Sequence, residues 1–277
     1  MRQLSIADVA RLISSISELD GLVLVGGQAL NFWAEQLGIA TPNSSGSFGP
    51  ALSADIDFLG TAAEAQAFAE AIKGKILIAG LEDHSPNVAL VTFDLDGETH
   101  EIDFLRHLKG FTPRELDEVW DKASVVELED ATPKLRIMHP MHCLLSQLEN
   151  VYGMPLNRRD EPNGERYAGR VRLAIETCRC LSVKHLDEGN TDGALEIAEA
   201  VHAMSRGEPA MRARHTDSIV VEDGTICGPP MPSNFLERRL PQLQRLHGIA
   251  VKKYEALLVR REQIQARKAA SSPVGSR

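Results

Sequence analysis

The sequence predicts an α/β (α+β) protein in two parts, an α/β amino-terminal half and a mainly helical carboxyl-terminal half. Three observations carry this. Short β-rich runs ("LVLV", "DIDFLG", "KILIAG", "NVALVTFDL", "HEIDFL") all fall before about Leu135, separated by glycine turns or helix-like stretches. Beyond that point apolar residues recur at helical spacing in "HPMHCLLSQLENVYG", "ERYAGRVRLAIETCRCLSVKHL", "TDGALEIAEAVHAMSRG" and "LPQLQRLHGIAVKKYEALLVRREQIQARK". Strand patterns there almost vanish, apart from a weak one in "SIVVEDGTI". The expected division is 1–135, 136–268 and a disordered tail at 269–277, where "AASSPVGSR" offers nothing to bury.

Ser5 with Asp8, ahead of Val9, Leu12, Ile13 and Ile16, predicts a capped amphipathic helix. "LDG" breaks it, and Leu22–Val25 reads as a short, wholly apolar strand that runs straight into Gly26-Gly27. "QALNFWAEQLG" continues as a helix closed by Gly38. "TPNSSGSFGPAL", Thr41–Leu52, is turn-forming. The "ADIDFLG" strand follows, then a helix from Thr61 with Glu64 as its box partner, then "KILIAG". "NVALVTFDLDGETHEIDFLRHL" predicts a hairpin turning at Asp96-Gly97, and Thr112-Pro113 opens a short helix.

The net charge of −9 argues against a general nucleic-acid binder, but the charge is uneven. From Leu236 onward there are ten Lys/Arg and three Asp/Glu, a balance of +7 that leaves −16 for residues 1–235. Such a basic end can serve an anionic partner, or be a solvated helix face. Cys143, Cys178, Cys180 and Cys227 lack the spacing of a disulfide framework, and no stretch approaches a membrane span or a signal peptide. The expectation is a cytoplasmic protein with reduced thiols.

The chemistry concentrates in "SADIDFLG". Asp55 and Asp57 are two apart on a strand, so both project from one face. "HEIDFL" adds Asp103 on a second apolar strand, with Glu101 as a flanking surface residue. Two carboxylates 4 Å apart repel by about 4 kcal/mol at an effective dielectric near 20, and a divalent cation relieves that. Oxygen-only ligands favour Mg²⁺ or Mn²⁺. Gly26-Gly27, where a strand meets a helix, lets phosphate oxygens reach backbone N–H groups. A phosphate cradle beside metal-binding carboxylates describes nucleotide handling. By contrast, "HPMHC" starts a helix at Pro140 rather than a zinc site, for His139, His142 and Cys143 have no second ligand pair. No G-x-x-x-x-G-K-[ST], G-x-S-x-G or H-E-x-x-H is present.

In this order, "LVLVGGQAL", "SADIDFLG" and "HEIDFL" resemble the polymerase-β-like nucleotidyltransferase superfamily, and most of all its AbiEii-type proteins, which include toxins of toxin–antitoxin systems. The motifs span roughly residues 20–110, with a weaker likeness through "MHPMHCLLSQLENV" to about Leu181. The resemblance implies a mixed-sheet core with an appended helical region. It implies metal binding and catalysis by Asp55, Asp57 and Asp103, and contact of the NTP with Gly26, Gly27, Gln28 and Ser53. It also implies transfer of an NMP to an acceptor, with RNA or tRNA favoured by the basic carboxyl-terminal helix (Arg238, Arg239, Arg245, Lys252, Lys253, Arg260, Arg261), and an antitoxin protein as partner. The alternatives are a small-molecule or protein acceptor, and a nucleotide-binding or partner protein without turnover. Gln28 stands where the commoner pattern has Ser. The helix of "HCLLSQLENV" lacks the Lys that relatives carry, which leaves Lys134, Arg136, Arg158 or Arg159 to meet the triphosphate.

Overall fold

The computed structural model describes residues 8, 12, 21–39, 56–80, 82–127, 134–153 and 164–271. Among them, β1 (Val23–Val25), β2 (Ile56–Leu59), β3 (Lys75–Ile78), β4 (Asn87–Leu95), β5 (Glu98–Leu105), β6 (Ser124–Glu127) and β7 (Lys134–Ile137) form one mixed sheet. Its order is β3-β4-β5-β2-β1-β7-β6. β2 runs parallel to β5 and β1 parallel to β7, and the remaining pairs are antiparallel. The short central β1 is apolar at every position because both of its faces are covered. β4 and β5 turn at Asp96 (φ 54°) and Gly97 (φ 85°), the pair of positive φ values a two-residue hairpin loop requires.

The expected helix starts are present. α1 (Gly26–Gln36) follows β1 without a break. α2 (Ala62–Ile72) and α3 (Pro113–Lys122) each begin with a reciprocal capping box, Thr61 with Glu64 and Thr112 with Glu115. In α4 (Pro140–Tyr152), His139 is the cap, its Nδ1 accepting from the Met141 N–H at 3.3 Å. α5 (Gly164–Asp187), α6 (Thr191–Met204), α7 (Glu208–Asp217) and the long α8 (Leu240–Ser271) complete the helical part.

The two sheet faces differ. On one, Phe58 and Phe104 meet Phe68 of α2, all three ring centroids lying 5.5–5.7 Å apart, and this triad is sealed from solvent. The other face carries Val25, Asp57 and Asp103 in one row. A continuous core runs from the sheet into α4 and α5 through Met138, Leu144, Val171 and Cys178. A second, smaller cluster of Ala194, Ala198, Phe235, Leu240 and Leu243 roots the start of α8.

Some expectations need correcting. "SIVVEDGTI" is not a strand: Val221–Gly224 forms a single 3₁₀ turn. Glu222 is held there by Arg214 at 2.7 Å, with His247 Nε2 2.8 Å from the same carboxylate, which places the segment between α7 and α8 with no strand beside it among the described residues. β6 and β7 are additional strands, and β7 carries the sheet across residue 135 to Ile137. α8 reaches Ser271, while residues 272–277 lie outside the described residues. Of the expected first helix, Asp8 and Leu12 are described, and both are helical. Among the described residues, no helix is long and apolar enough to cross a membrane.

Candidate active site

Three neighbouring strands bring the sequence-predicted residues together. Val25 ends β1 opposite Asp57 of β2, and Asp57 stands beside Asp103 of β5. Partners in register share a face, so the two half-buried carboxylates project side by side from strands about 4.8 Å apart. Topology makes this possible: β2 and β5 are far apart in sequence but parallel neighbours in the sheet. Asp55 and Ser53 lie outside the described residues.

The chain leaves β1 at Gly26 with φ +66°. A Cβ at that position would sit 2.2 Å from Asp57 Oδ2 and 3.2 Å from its Cγ. Glycine therefore serves twice: it takes the left-handed turn without strain, and it lets a carboxylate lie against the backbone. Among the described residues no side chain caps the first turn of α1, and the positive end of that helix lies beside the Asp57 carboxylate. Gln28 is fully buried, and its Oε1 accepts from Asn31 Nδ2 at 3.4 Å, one turn along the helix.

Asn87 is the participant that the motifs do not announce. Its Nδ2 donates to Asp103 Oδ1 at 2.5 Å, which fixes the orientation of that carboxyl group. A β-bulge between Asn87 and Ala89 puts Asn87 opposite Leu105, on the carboxylate face. Arg106 ties the same loop down, donating to the carbonyls of Asp83 at 3.1 Å and Asn87 at 3.2 Å.

Among the described residues no three acidic, His or Cys side chains converge as metal ligands. Two adjacent carboxylates of the right chemistry are present in Asp57 and Asp103, and a third ligand would have to come from beyond the described residues. Of the cations expected near a triphosphate, Arg136 is level with Val23 on the strand flanking β1, and Lys134 lies two residues further back. Arg158 and Arg159 are outside the described residues. α4 itself has no Lys, as its sequence shows, and offers buried Ser146 and Gln147.

His139 and His142, at the start of α4, are held as neutral rings. Burial lowers both to about 4, helped for His139 by His142 and for His142 by Lys122. Trp33 packs near His139, at 6.4 Å between ring centroids, and donates through Nε1 to the Met138 carbonyl at 2.8 Å. The pair is a structural joint between α1 and α4. Of the thiols, Cys143 and Cys178 are buried and burial raises both, while Cys180 is half-buried and Cys227 exposed.

No protein-family model matches the chain, and no curated protein does. Three solved structures overlap with it weakly. The antibiotic-resistance factor ANT(2'')-Ia is 13% identical, the match covering 72% of this chain and 96% of that one, with a TM-score of 0.34. JHP933 from Helicobacter pylori is 14% identical over 93% of this chain and 94% of its own, with a TM-score of 0.33. A third, an H. pylori chain provisionally described as a nucleotidyltransferase, is 14% identical over 90% and 94%, with a TM-score of 0.33. Overlaps this low carry no argument about activity, which rests on the site itself.

Proposed function

We propose that this chain is a nucleotidyltransferase of the polymerase-β-like kind, moving a nucleoside monophosphate from an NTP to an acceptor hydroxyl. The observation that supports this most is the convergence of Gly26, Asp57 and Asp103: a left-handed glycine turn at an uncapped helix start, touching one of two carboxylates in register. A nucleotide's phosphates need the first and its metal needs the second.

In this reading Asp55, Asp57 and Asp103 hold Mg²⁺ or Mn²⁺. The ion, when bound, neutralises triphosphate charge and makes the acceptor hydroxyl more acidic. Gly26 and Gly27 present N–H groups to phosphate oxygens, with Ser53 and the polar end of Gln28 flanking them. Asp103, oriented by Asn87, accepts the proton of the attacking hydroxyl. The acceptor oxygen bonds to the α-phosphorus as the bond from that phosphorus to the bridging oxygen breaks, and pyrophosphate leaves.

For the acceptor, the reading is RNA, tRNA included. Exposed Arg238, Arg245 and Lys252 near the root of α8 supply the cations that a phosphate backbone needs. A toxin role and an antitoxin partner follow from the sequence resemblance alone. The test is label transfer from each α-labelled NTP to total cellular RNA with Mg²⁺ or Mn²⁺, with Asp57→Asn as control. Label on RNA with the unmodified chain alone is the expected result. No label on RNA, protein or small molecules with either ion would end the reading.

A further inference from the structure

We infer that two copies of this chain pair, the α8 arm of each lying on the open sheet face of the other. Two surfaces of the described residues are complementary and do not pack on each other within one chain. The first is one line along α8: Leu246, Ile249, Lys253, Leu257, Arg260, Ile264 and Arg267. Each lies three or four residues from the next, so they stack on one side of the helix. All are exposed, including Leu246 at 46% and Ile264 at 43%. Glu255 and Glu262 fall on the opposite side of the helix by the same arithmetic, which leaves the line apolar and cationic with no carboxylate.

The second surface is the outer part of the sheet, on the side that bears Asp103. The register there places Leu77 beside Leu90, and Leu90 beside Asp103. Alternation adds Asp94 and Glu101 to this side, both exposed. Leu77 is 69% exposed, an unusual state for a leucine in the middle of a strand. The described helix that packs on β3 and β4 is α2, and it lies on the other side, where Phe68 meets Phe58 and Phe104. From Lys75 to Arg106 the chain has no other Lys or Arg, while Glu82, Asp83, Asp94, Asp96, Glu98 and Glu101 are all exposed.

Apolar meets apolar and cation meets carboxylate when the arm is laid on this surface. The lengths agree as well. Leu246 to Arg267 spans about 32 Å of helix, and the nine residues of β4 span about 27 Å. A helix covering a sheet face is how sheets ordinarily complete a layer. Reciprocal exchange of arms closes the pair about a two-fold axis and leaves neither surface bare. RNA suits this line of α8 less well, because four large aliphatic side chains interrupt the cations and a phosphate backbone offers them nothing to bury against.

The experiment is the solution mass of the full chain by light scattering and sedimentation at 1–100 μM (on the order of the concentrations at which pairs of this size form). The expected mass is that of two chains. Leu257→Glu with Ile264→Glu, and separately Lys253→Glu with Arg260→Glu, should each weaken pairing about a hundredfold and shift the mass toward one chain, with the thermal unfolding of the monomer unchanged because all four positions are exposed. Adding Asp94→Lys and Glu101→Lys to the Lys253→Glu/Arg260→Glu chain should restore the pair. A single-chain mass across the range overturns the inference, as does a two-chain mass that neither variant disturbs. So does failure of the charge-swapped chain to re-associate, or a Lys253→Glu/Arg260→Glu chain that keeps its mass and loses only RNA retention. Each readout is a mass or a retention measurement, so the outcome is independent of whether label transfer is found.

Discussion

Replacing Gly26 by alanine tests the site at its tightest point. Two costs add there. The first is backbone: φ +66° is left-handed, and a Cβ in that region costs about 1 kcal/mol or slightly more. The second is collision: the new Cβ would lie 2.2 Å from Asp57 Oδ2, about 1.3 Å inside ordinary non-bonded contact. The Asp57 carboxylate must swing aside, or the start of α1 must move. Gly38 separates the two costs, since it has φ +62° but open space where its Cβ would go. Gly38→Ala should therefore lose about 1 kcal/mol in urea unfolding and no transfer activity. Gly26→Ala should lose about 2–3 kcal/mol, a backbone term plus strain of the usual overpacking size, and its label transfer should fall about a hundredfold, the cost of a misplacement near 1 Å. In Gly26→Ala/Asp57→Ala the collision is gone, so the two stability losses should fall short of additive. Equal unfolding penalties at Gly26 and Gly38, with transfer retained in Gly26→Ala, would show that Asp57 does not need to lie against the turn, and the proposed cradle would be wrong.

Other consequences follow from single contacts. Asn87→Ala removes the donor that orients Asp103, so turnover should drop roughly tenfold with little change in the NTP concentration giving half-maximal rate; an effect on NTP binding alone would place Asn87 elsewhere in the reaction. Thr112→Ala breaks the capping box of α3 and should cost about 1 kcal/mol of stability by denaturant titration, with activity untouched. His139 and His142 are lowered to about 4 when folded, below their ordinary 6.5, so the unfolded chain binds more protons between those values. Their contribution is complete above pH 6.5 and is lost as pH falls toward 4, together amounting to a few kcal/mol. His142→Leu should flatten the stability profile over that interval, and an unchanged slope would assign it to other groups.

Legibility in the sequence followed the range of the interaction. Capping boxes at Thr61 and Thr112, the Asp96-Gly97 hairpin and the helix start at Pro140 are each written within four residues, and each stands where its local pattern puts it. The pairing of Asp57 with Asp103 is different: two Asp-bearing apolar strands suggest it, but only the insertion of β2 between β1 and β5 makes them neighbours. β6 and β7 are not legible because four-residue strands such as "SVVE" and "KLRI" lack enough length to show a period of two. "SIVVEDGTI" departs from its local pattern for the converse reason. Its β-branched run has strand propensity, yet the partners that decide its shape, Arg214 and His247, come from two separate helices.

Asn87 shows where local reading has to stop. A two-residue loop at Asp96-Gly97 pairs Leu95 with Glu98 and, by counting outward, Leu90 with Asp103, as observed. The same count would set Asn87 opposite Arg106 and turn its side chain to the phenylalanine face, away from Asp103. One extra residue between Asn87 and Ala89 shifts the pairing to Leu105, and a shift of one in a period of two reverses the face. The bulge thus converts a residue that strand alternation assigns to the core side into the one that holds Asp103 by its carboxyl oxygen. No Gly or Pro marks the spot in "SPNVAL" beyond Pro86 itself, so the register has to be seen before the contact can be inferred. Deleting Val88 should close the bulge with Asn87 still opposite Leu105 on the carboxylate face, so turnover should stay near that of the unmodified chain; a loss equal to that of Asn87→Ala would show that the bulge itself, and not the face, makes the contact.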